Sequence, residues 1–301
     1  MLIPVRIPHR RTGTQHRESP IGLVCHDQST GDNEIAVKRH MLEQDLASAL
    51  ANDQISLVYQ PFLEVDSNRI QGFEALLRWQ HPIHGSIPPA EFIAIAEETG
   101  LIHPIGEWVI REACQAAARW PEHLRVSVNL SVAQFRNRTI TIVNTIVRAL
   151  ADAGLSPTRL EVEITESILI SKFDATIALL ESLSALGITI ALDDFGIGYS
   201  SLTYLRKLPL HRLKIDQSFV RDMLIDADCA AIVKSVVGLA RELRIAVIAE
   251  GVETIQQLDY LRQINCSEVQ GYLVGKPIPI EQVAGLLEKQ LPDNIAMRRQ
   301  P

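Results

Sequence analysis

From about residue 55 to residue 290 the chain alternates short, mostly apolar runs with stretches of helical period. The runs are Ile55–Gln60, Ile70–Leu77, Val126–Leu130, Leu160–Thr165, Ile188–Leu192, Arg212–Ile215, Ala246–Ala249 and Glu268–Leu273. A helical pattern over Glu34–Asn52 precedes them. Helical patterns over Pro89–Glu98, Ile105–Trp120, Ile140–Ala153, Phe173–Leu186, Ala230–Leu243 and Thr254–Gln263 lie between most of them, and Ile280–Gln290 closes the series. Gly100, Gly154 and Gly187 stand just past predicted helix ends, where a left-handed cap is needed. Thr254 with Gln257 reads as a capping box. Eight strands alternating with helices in ~250 residues predict an α/β chain, a (β/α)8 TIM-like barrel. A doubly wound open sheet is the alternative, but no GxGxxG follows a strand. Only a short Asp/Ser/Asn turn joins the first two strands, so the first is expected to be antiparallel to the second.

The 301 residues are 47% hydrophobic, ample for such a core. A net charge of −7 argues against nonspecific nucleic-acid binding but leaves a small anionic ligand open, if cations screen the site. Cys25, Cys114, Cys229 and Cys266 form no CxxC pair, which fits a reducing compartment. No apolar run reaches the ~18 residues of a membrane span, and the N-terminus lacks a signal-peptide core. These points give the expectation of a cytoplasmic domain without membrane contact. Residues 1–36, basic and without apolar periodicity, read as a disordered tail or linker. The barrel is expected over 37–292 and a C-terminal tail over 293–301.

Polar residues recur at the ends of the apolar runs. They are Glu74 (GFEALLRW), Asn129 (SVNLS), Glu163 and Glu166 (EVEITES), Asp193 and Asp194, Lys214 and Asp216 (LKID), Glu250 and Glu253 (AEGVET) and Gln270 (EVQGY). In a barrel these ends converge on the face where such enzymes keep their chemistry. Any one of them alone reads as a surface residue or a structural ion pair. Together they do not, because each buried charge needs a partner and the one nearby lysine cannot serve them all. Adjacent side chains on a strand face opposite ways, so Asp193 and Asp194 are expected in a loop just past the strand end, where both can aim at one point. His81 and His84 read as loop residues outside the set. Oxygen-only donors favour Mg2+ or Mn2+ over zinc. Two ions ~3.5–4 Å apart are the usual arrangement for phosphoester hydrolysis. Arg78, four residues after Glu74, reads equally as a phosphate clamp or a rim residue. The residues by themselves lead to metal-assisted hydrolysis of an anionic substrate.

Eight motifs go further. They are YQP at Tyr59–Pro61, Glu74-Ala75-Leu76, VNLS at 128–131, EVEITES at 161–167, DDFGIGYSSL at 193–202, LKID at 213–216, AEGVET at 249–254 and QGY at 270–272. As a set they resemble the EAL domain family of bacterial cyclic di-GMP phosphodiesterases, from about residue 40 to residue 290. The resemblance implies a (β/α)8 barrel with an antiparallel first strand and hydrolysis of cyclic di-GMP to linear pGpG with Mg2+ or Mn2+, two ions, calcium inhibiting. By motif, Glu74, Asn129, Glu163 and Asp193 would hold the first metal. Asp193 would bridge to the second, with Asp194 as its other ligand. Glu250 would be a further metal ligand and general base, and Lys214 would orient the hydrolytic water, so that Glu74, Lys214 and Glu250 form the catalytic set. Gln60, Leu76 and Arg78 would contact substrate, Gln60 at guanine and Arg78 at phosphate, with Gln270 supporting the pocket. Glu166 would anchor the loop of Phe195, Gly196, Gly198 and Tyr199 and link dimerisation to the site. Asp216 and Glu253 match motif positions without a settled role. Ile197 and the Val274-Gly275 pair depart from the family pattern, and neither removes a ligand. The implied partners are cyclic di-GMP, a second copy in a homodimer, and an upstream sensory or GGDEF domain outside this chain. The alternative is a catalytically weak cyclic di-GMP receptor. Members become receptors by losing metal ligands, and none is missing here.

Overall fold

The computed structural model describes residues 28–135, 139–166, 173–196 and 205–289. Met1–Arg39 and His40–Pro301 are separate units. The expected tails lie outside the described residues, apart from the start of helix α1.

In chain order the elements are α1 (Gln28–Ala49), β1 (Ile55–Glu64), β2 (Ile70–His81), β3 (Gly85–Ile87), α2 (Pro89–Thr99), α3 (Ile102–Ala118) and β4 (Arg125–Asn129). There follow α4 (Val132–Phe135), α5 (Thr139–Ala153), β5 (Leu160–Thr165), α6 (Phe173–Ala185), β6 (Thr189–Phe195) and β7 (Arg212–Ile215). The last are α7 (Gln217–Asp222), α8 (Ala227–Glu242), β8 (Ala246–Ala249), α9 (Ile255–Gln263), β9 (Glu268–Gln270) and α10 (Ile280–Glu288). The strands run β1-β9-β8-β7-β6-β5-β4-β2, and β2 pairs back to β1, so eight strands close a ring. β1 is antiparallel to both β2 and β9, and the rest of the ring is parallel. This is the predicted barrel with the predicted antiparallel first strand. The glycine caps are left-handed (Gly100 φ 80°, Gly154 φ 63°, Gly187 φ 90°), and the Thr254–Gln257 capping box is formed. The apolar periodicity did not reveal β3, which pairs with the end of β2, nor the one-turn helix α4 and the short α7. Helix α1 begins at Gln28, earlier than its pattern predicts. No helix among the described residues is long and apolar enough to cross a membrane.

Period-two alternation divides each strand. In β5, Leu160, Val162 and Ile164 join the apolar core, while Glu161 and Glu163 take the opposite face. That face is the lumen, because its side chains reach strands that are not neighbours in the sheet. Arg212 of β7 lies 2.7 Å from Glu161 of β5, and Arg125 of β4 lies 2.9 Å from Glu268 of β9. Arg212 also pairs with Glu268, and Arg125 sits over the Phe62 ring at 5.3 Å. Each member of this ring precedes a mouth residue on the same stripe: Arg125 before Asn129, Glu161 before Glu163, Arg212 before Lys214, Glu268 before Gln270. Two arginines and two glutamates therefore floor the barrel, at the N-terminal ends of its parallel strands. Burial pushes the Glu161 carboxyl up despite the pull of Arg212 and Arg125. Neither Glu161 oxygen makes an aligned hydrogen bond, so proximity of charge holds it.

His81 is not the expected loop residue. It ends β2, is 2% exposed, and its Nε2 lies 3.0 Å from Asp45 of α1. Its Nδ1 accepts the backbone N–H groups of Ile83 and His84, which leaves Nε2 as the donor to Asp45.

Removing one member of the floor leaves buried charge uncompensated. Glu161→Ala is expected to cost ~3–5 kcal/mol of unfolding free energy in urea denaturation. A loss below about 0.5 kcal/mol would show that the ring carries no weight.

Candidate active site

Lys214 sits at the centre of the lumen's mouth, 1% exposed. Its Nζ lies 2.6 Å from Glu163, 2.6 Å from Glu250, 3.3 Å from Asp193 and 3.5 Å from Glu74. One lysine thus reaches four of the predicted carboxylates, more than the sequence reading allowed. It could not neutralise them if all were ionised, since one ammonium faces four carboxyl groups. Burial alone would lower the Lys214 pKa, but Glu163, Glu250, Glu74 and Asp193 raise it well above its usual value. Burial, with repulsion from Glu74, drives Glu163 well above the carboxylate range in spite of Lys214. Burial pushes Glu250 up to about 8, with Lys214 opposing and Asp193 adding. Glu74 goes the other way. Burial raises it, but the Lys214 charge and hydrogen bonds from Gln270 and Asn129 outweigh that and hold it low.

Those two amides lock Glu74 in place. Asn129 Nδ2 donates to Oε1 at 2.7 Å, and Gln270 Nε2 donates to Oε2 at 2.7 Å. Gln270 Nε2 also reaches Gln60 Oε1 at 3.3 Å, and Gln60 donates to the Gly275 carbonyl at 3.3 Å. Gly275, one of the two departures from the family pattern, has a reason here: a Cβ would lie 2.7 Å from Pro61 Cγ.

The aspartate pair is built differently from the expectation. Both residues lie inside β6, not in a loop beyond it. Asp194 has φ 55°, and the β6–β7 register shifts between Leu192 and Phe195. Aspartate tolerates the left-handed region, and such an irregularity re-aims a side chain at a strand end. The result is one oxygen each from Asp193, Asp194 and Glu250 within 4.8 Å of one another. Burial, with repulsion from Asp193, raises the Asp194 pKa.

The other predicted residues divide. Leu76 and Arg78 continue the Glu74 face of β2 toward the mouth, both half-buried, and Arg78 donates to its neighbour's carbonyl at 2.8 Å. Glu166 accepts the Gly196 N–H at 3.2 Å, so the contact expected between it and the loop exists. Phe195 is buried at the end of β6, opposite Ile215. Gly198 and Tyr199 lie outside the described residues. Asp216 caps α7, accepting from Ser218 N at 2.8 Å. Glu253 is exposed on the rim and donates its N–H to Gln257. A cavity of about 330 Å³ opens over the cluster, lined by Gln60, Glu74, Asp193, Lys214, Glu250 and Gln270, with Gln217 and Tyr272 at its edge. The sequence reading gave no role to these last two. Tyr272 lies in the QGY motif, whereas Gln217 carries no local signal.

A divalent cation fits this donor set. Asp193, Asp194 and Glu250 offer only carboxylate oxygens, the donors of hard ions, and the surrounding carboxylates exceed what Lys214 balances.

The family profile of the EAL domain matches residues 43–277. Among curated relatives, the bifunctional diguanylate cyclase/cyclic di-GMP phosphodiesterase MucR of Pseudomonas aeruginosa is 44% identical over 83% of this chain and 37% of its own length. The cyclic di-GMP phosphodiesterase NbdA of the same organism is 41% identical over 81% of this chain and 32% of its own. The chain thus spans about a third of the length of these curated relatives. Among solved structures, the MucR phosphodiesterase in complex with c-di-GMP superposes with a TM-score of 0.77 at 44% identity, covering 81% of this chain and 99% of that one. The FimX EAL domain of P. aeruginosa bound to c-di-GMP gives 0.72 at 28% identity, covering 79% and 96%.

The folded Glu250 carboxyl, at about 8, stands above its ordinary value of 4.5. Between those values the folded state holds more protons than the unfolded one, so this group's contribution to stability falls as pH rises. Glu163 has the same sign, and Glu74, shifted down, acts only below the window. Thermal melts of chelator-treated protein are therefore expected to weaken from pH 5 to pH 8, less steeply in Glu250→Gln. A steeper fall in the variant would reverse the assignment.

Proposed function

The chain belongs to the EAL domain family, and from that premise we propose that it is a metal-dependent phosphodiesterase hydrolysing cyclic di-GMP to linear pGpG. The observation that carries this reading is the convergence of Glu74, Glu163, Asp193 and Glu250 on Lys214 at one barrel mouth, beside Asp194. Asp193, Asp194 and Glu250 would hold divalent cations, Mg2+ or Mn2+ and two of them, with Glu74, Asn129 and Glu163 completing the set. When bound, such ions supply the charge that acidifies a water and stabilises phosphoryl oxygens. Glu250, its carboxyl ionised beside such cations, takes the proton of the attacking water as general base. Lys214 orients that water. Arg78 clamps a phosphate oxygen, and Gln60 reads a guanine. Glu166, through Gly196, positions the segment after the aspartates. A homodimer, an upstream sensory or GGDEF domain and a cytoplasmic setting belong to the same proposal and are supported by the family membership.

A receptor without turnover is the competing reading. The intact ligand set favours the enzyme. Chromatography of cyclic di-GMP incubated with Mn2+ decides: pGpG supports the enzyme, and tight binding without product supports the receptor.

Two variants test the roles. Glu74→Ala is expected to lower turnover more than about a hundred-fold with an unchanged far-ultraviolet spectrum, since a ligand should cost more than the 10–100-fold of an outer-sphere partner. Loss of secondary structure would mark Glu74 as structural. Glu166→Ala is expected to lower kcat about ten-fold or more. Parental rates would disconnect it from the site.

A further inference from the structure

We propose that Tyr272 is the stacking platform for a guanine base of the substrate, an inference that rests on the function proposed above. A cyclic dinucleotide brings two chemistries to the mouth, anionic phosphates and flat heteroaromatic bases. Cations and polar side chains suit the phosphates. The bases need a π-face, and Tyr272 is the one aromatic ring among the described residues lining the cavity.

The ring is 58% exposed, yet its backbone is pinned. Val252 N–H donates to the Gln270 carbonyl at 3.0 Å, and Leu273 N–H donates to the Val252 carbonyl at 3.0 Å. Val274 and Gly275 both donate to the Gly271 carbonyl at 3.0 Å. Gly271 makes this close approach possible, since a Cβ there would lie 2.2 Å from the Val252 carbonyl oxygen. A large ring held in water on a rigid turn is pre-organised for a partner and loses little freedom on binding. Lys276 Nζ lies 5.2 Å from the ring centroid, which holds the ring electrostatically and adds a positive charge beside it.

A second, independent observation points to a ligand at the same turn. Gln270, two residues earlier and 4% exposed, is among the residues lining the cavity, and its buried Oε1 has no hydrogen-bond partner. A buried acceptor without a donor is costly. Guanine carries N–H donors on its edge, and a turn of the Gln270 amide toward the cavity would offer one of them this acceptor.

Steady-state kinetics of pGpG release and calorimetric Kd for cyclic di-GMP, measured on Tyr272→Ala, Tyr272→Leu, Tyr272→Phe and Tyr272→Trp, test the proposal. Loss of one base stack is expected to raise KM and Kd about ten-fold in the Ala and Leu variants, with kcat changed less than about two-fold. Phe and Trp should restore both constants. Unchanged KM and Kd in Tyr272→Ala would overturn the proposal. So would equal recovery by Leu and Phe, which would mean packing without stacking. A parental chain that binds cyclic di-GMP without releasing pGpG would defeat the hydrolytic reading alone, and Kd across the variants would still decide the role of Tyr272.

Discussion

The structure turns on a single buried ammonium. Lys214 is tolerated at 1% exposure only because carboxylates surround it, and those carboxylates are tolerated partly because it is there. Taking each ion out of water costs several kcal/mol. An ion pair at ~4 Å returns roughly 4 kcal/mol at an effective dielectric of 20. The contacts of one ammonium therefore cannot offset the burial of four ionised acids together with its own. The excess is relieved by protonation, which the raised Glu163 and Glu250 carboxyls express, or by added cations. The same imbalance makes the cluster costly to fold and suited to binding metal.

The floor of the barrel shows that this imbalance is particular to the mouth. Two residues lower on the same stripes, Glu161 and Glu268 face Arg125 and Arg212, and the charges cancel. That ring needs nothing from outside. The mouth uses similar residue types with one cation in place of two. The proposed chemistry accordingly belongs to the end where the charge count does not close, and stability to the end where it does, the usual division in this architecture.

What the sequence revealed follows the range of each interaction. The barrel was legible because alternation, caps and turn length are local: the short turn after β1 forces the antiparallel pair, and Thr254 and Gln257 bond across three residues. The mouth residues were legible because each closes an apolar run and the motifs recur as a set. The floor was not, because Arg125 and Glu268 are separated by 143 residues and each looks like an ordinary strand-edge charge. The reach of Lys214 to four acids was missed for the same reason, and so was the Asp45–His81 contact. The Asp193–Asp194 geometry was missed for a different one: a register shift depends on what the neighbouring strand does, which no single run of residues records.

That register shift separates the surroundings of the two aspartates. Asp193 is fixed by the β5 ladder, where it pairs with Thr165, and it receives the Asp194 N–H at 2.9 Å. Asp194, with its left-handed backbone, lies beyond the regular part of β6, and the chain after it is held at Gly196 by the Glu166 carboxylate. Glu166 itself follows β5 directly. The first aspartate therefore sits in the regular ladder, and the second lies in the irregular step before the Phe195–Ile215 pair, with the Glu166–Gly196 hydrogen bond just beyond it.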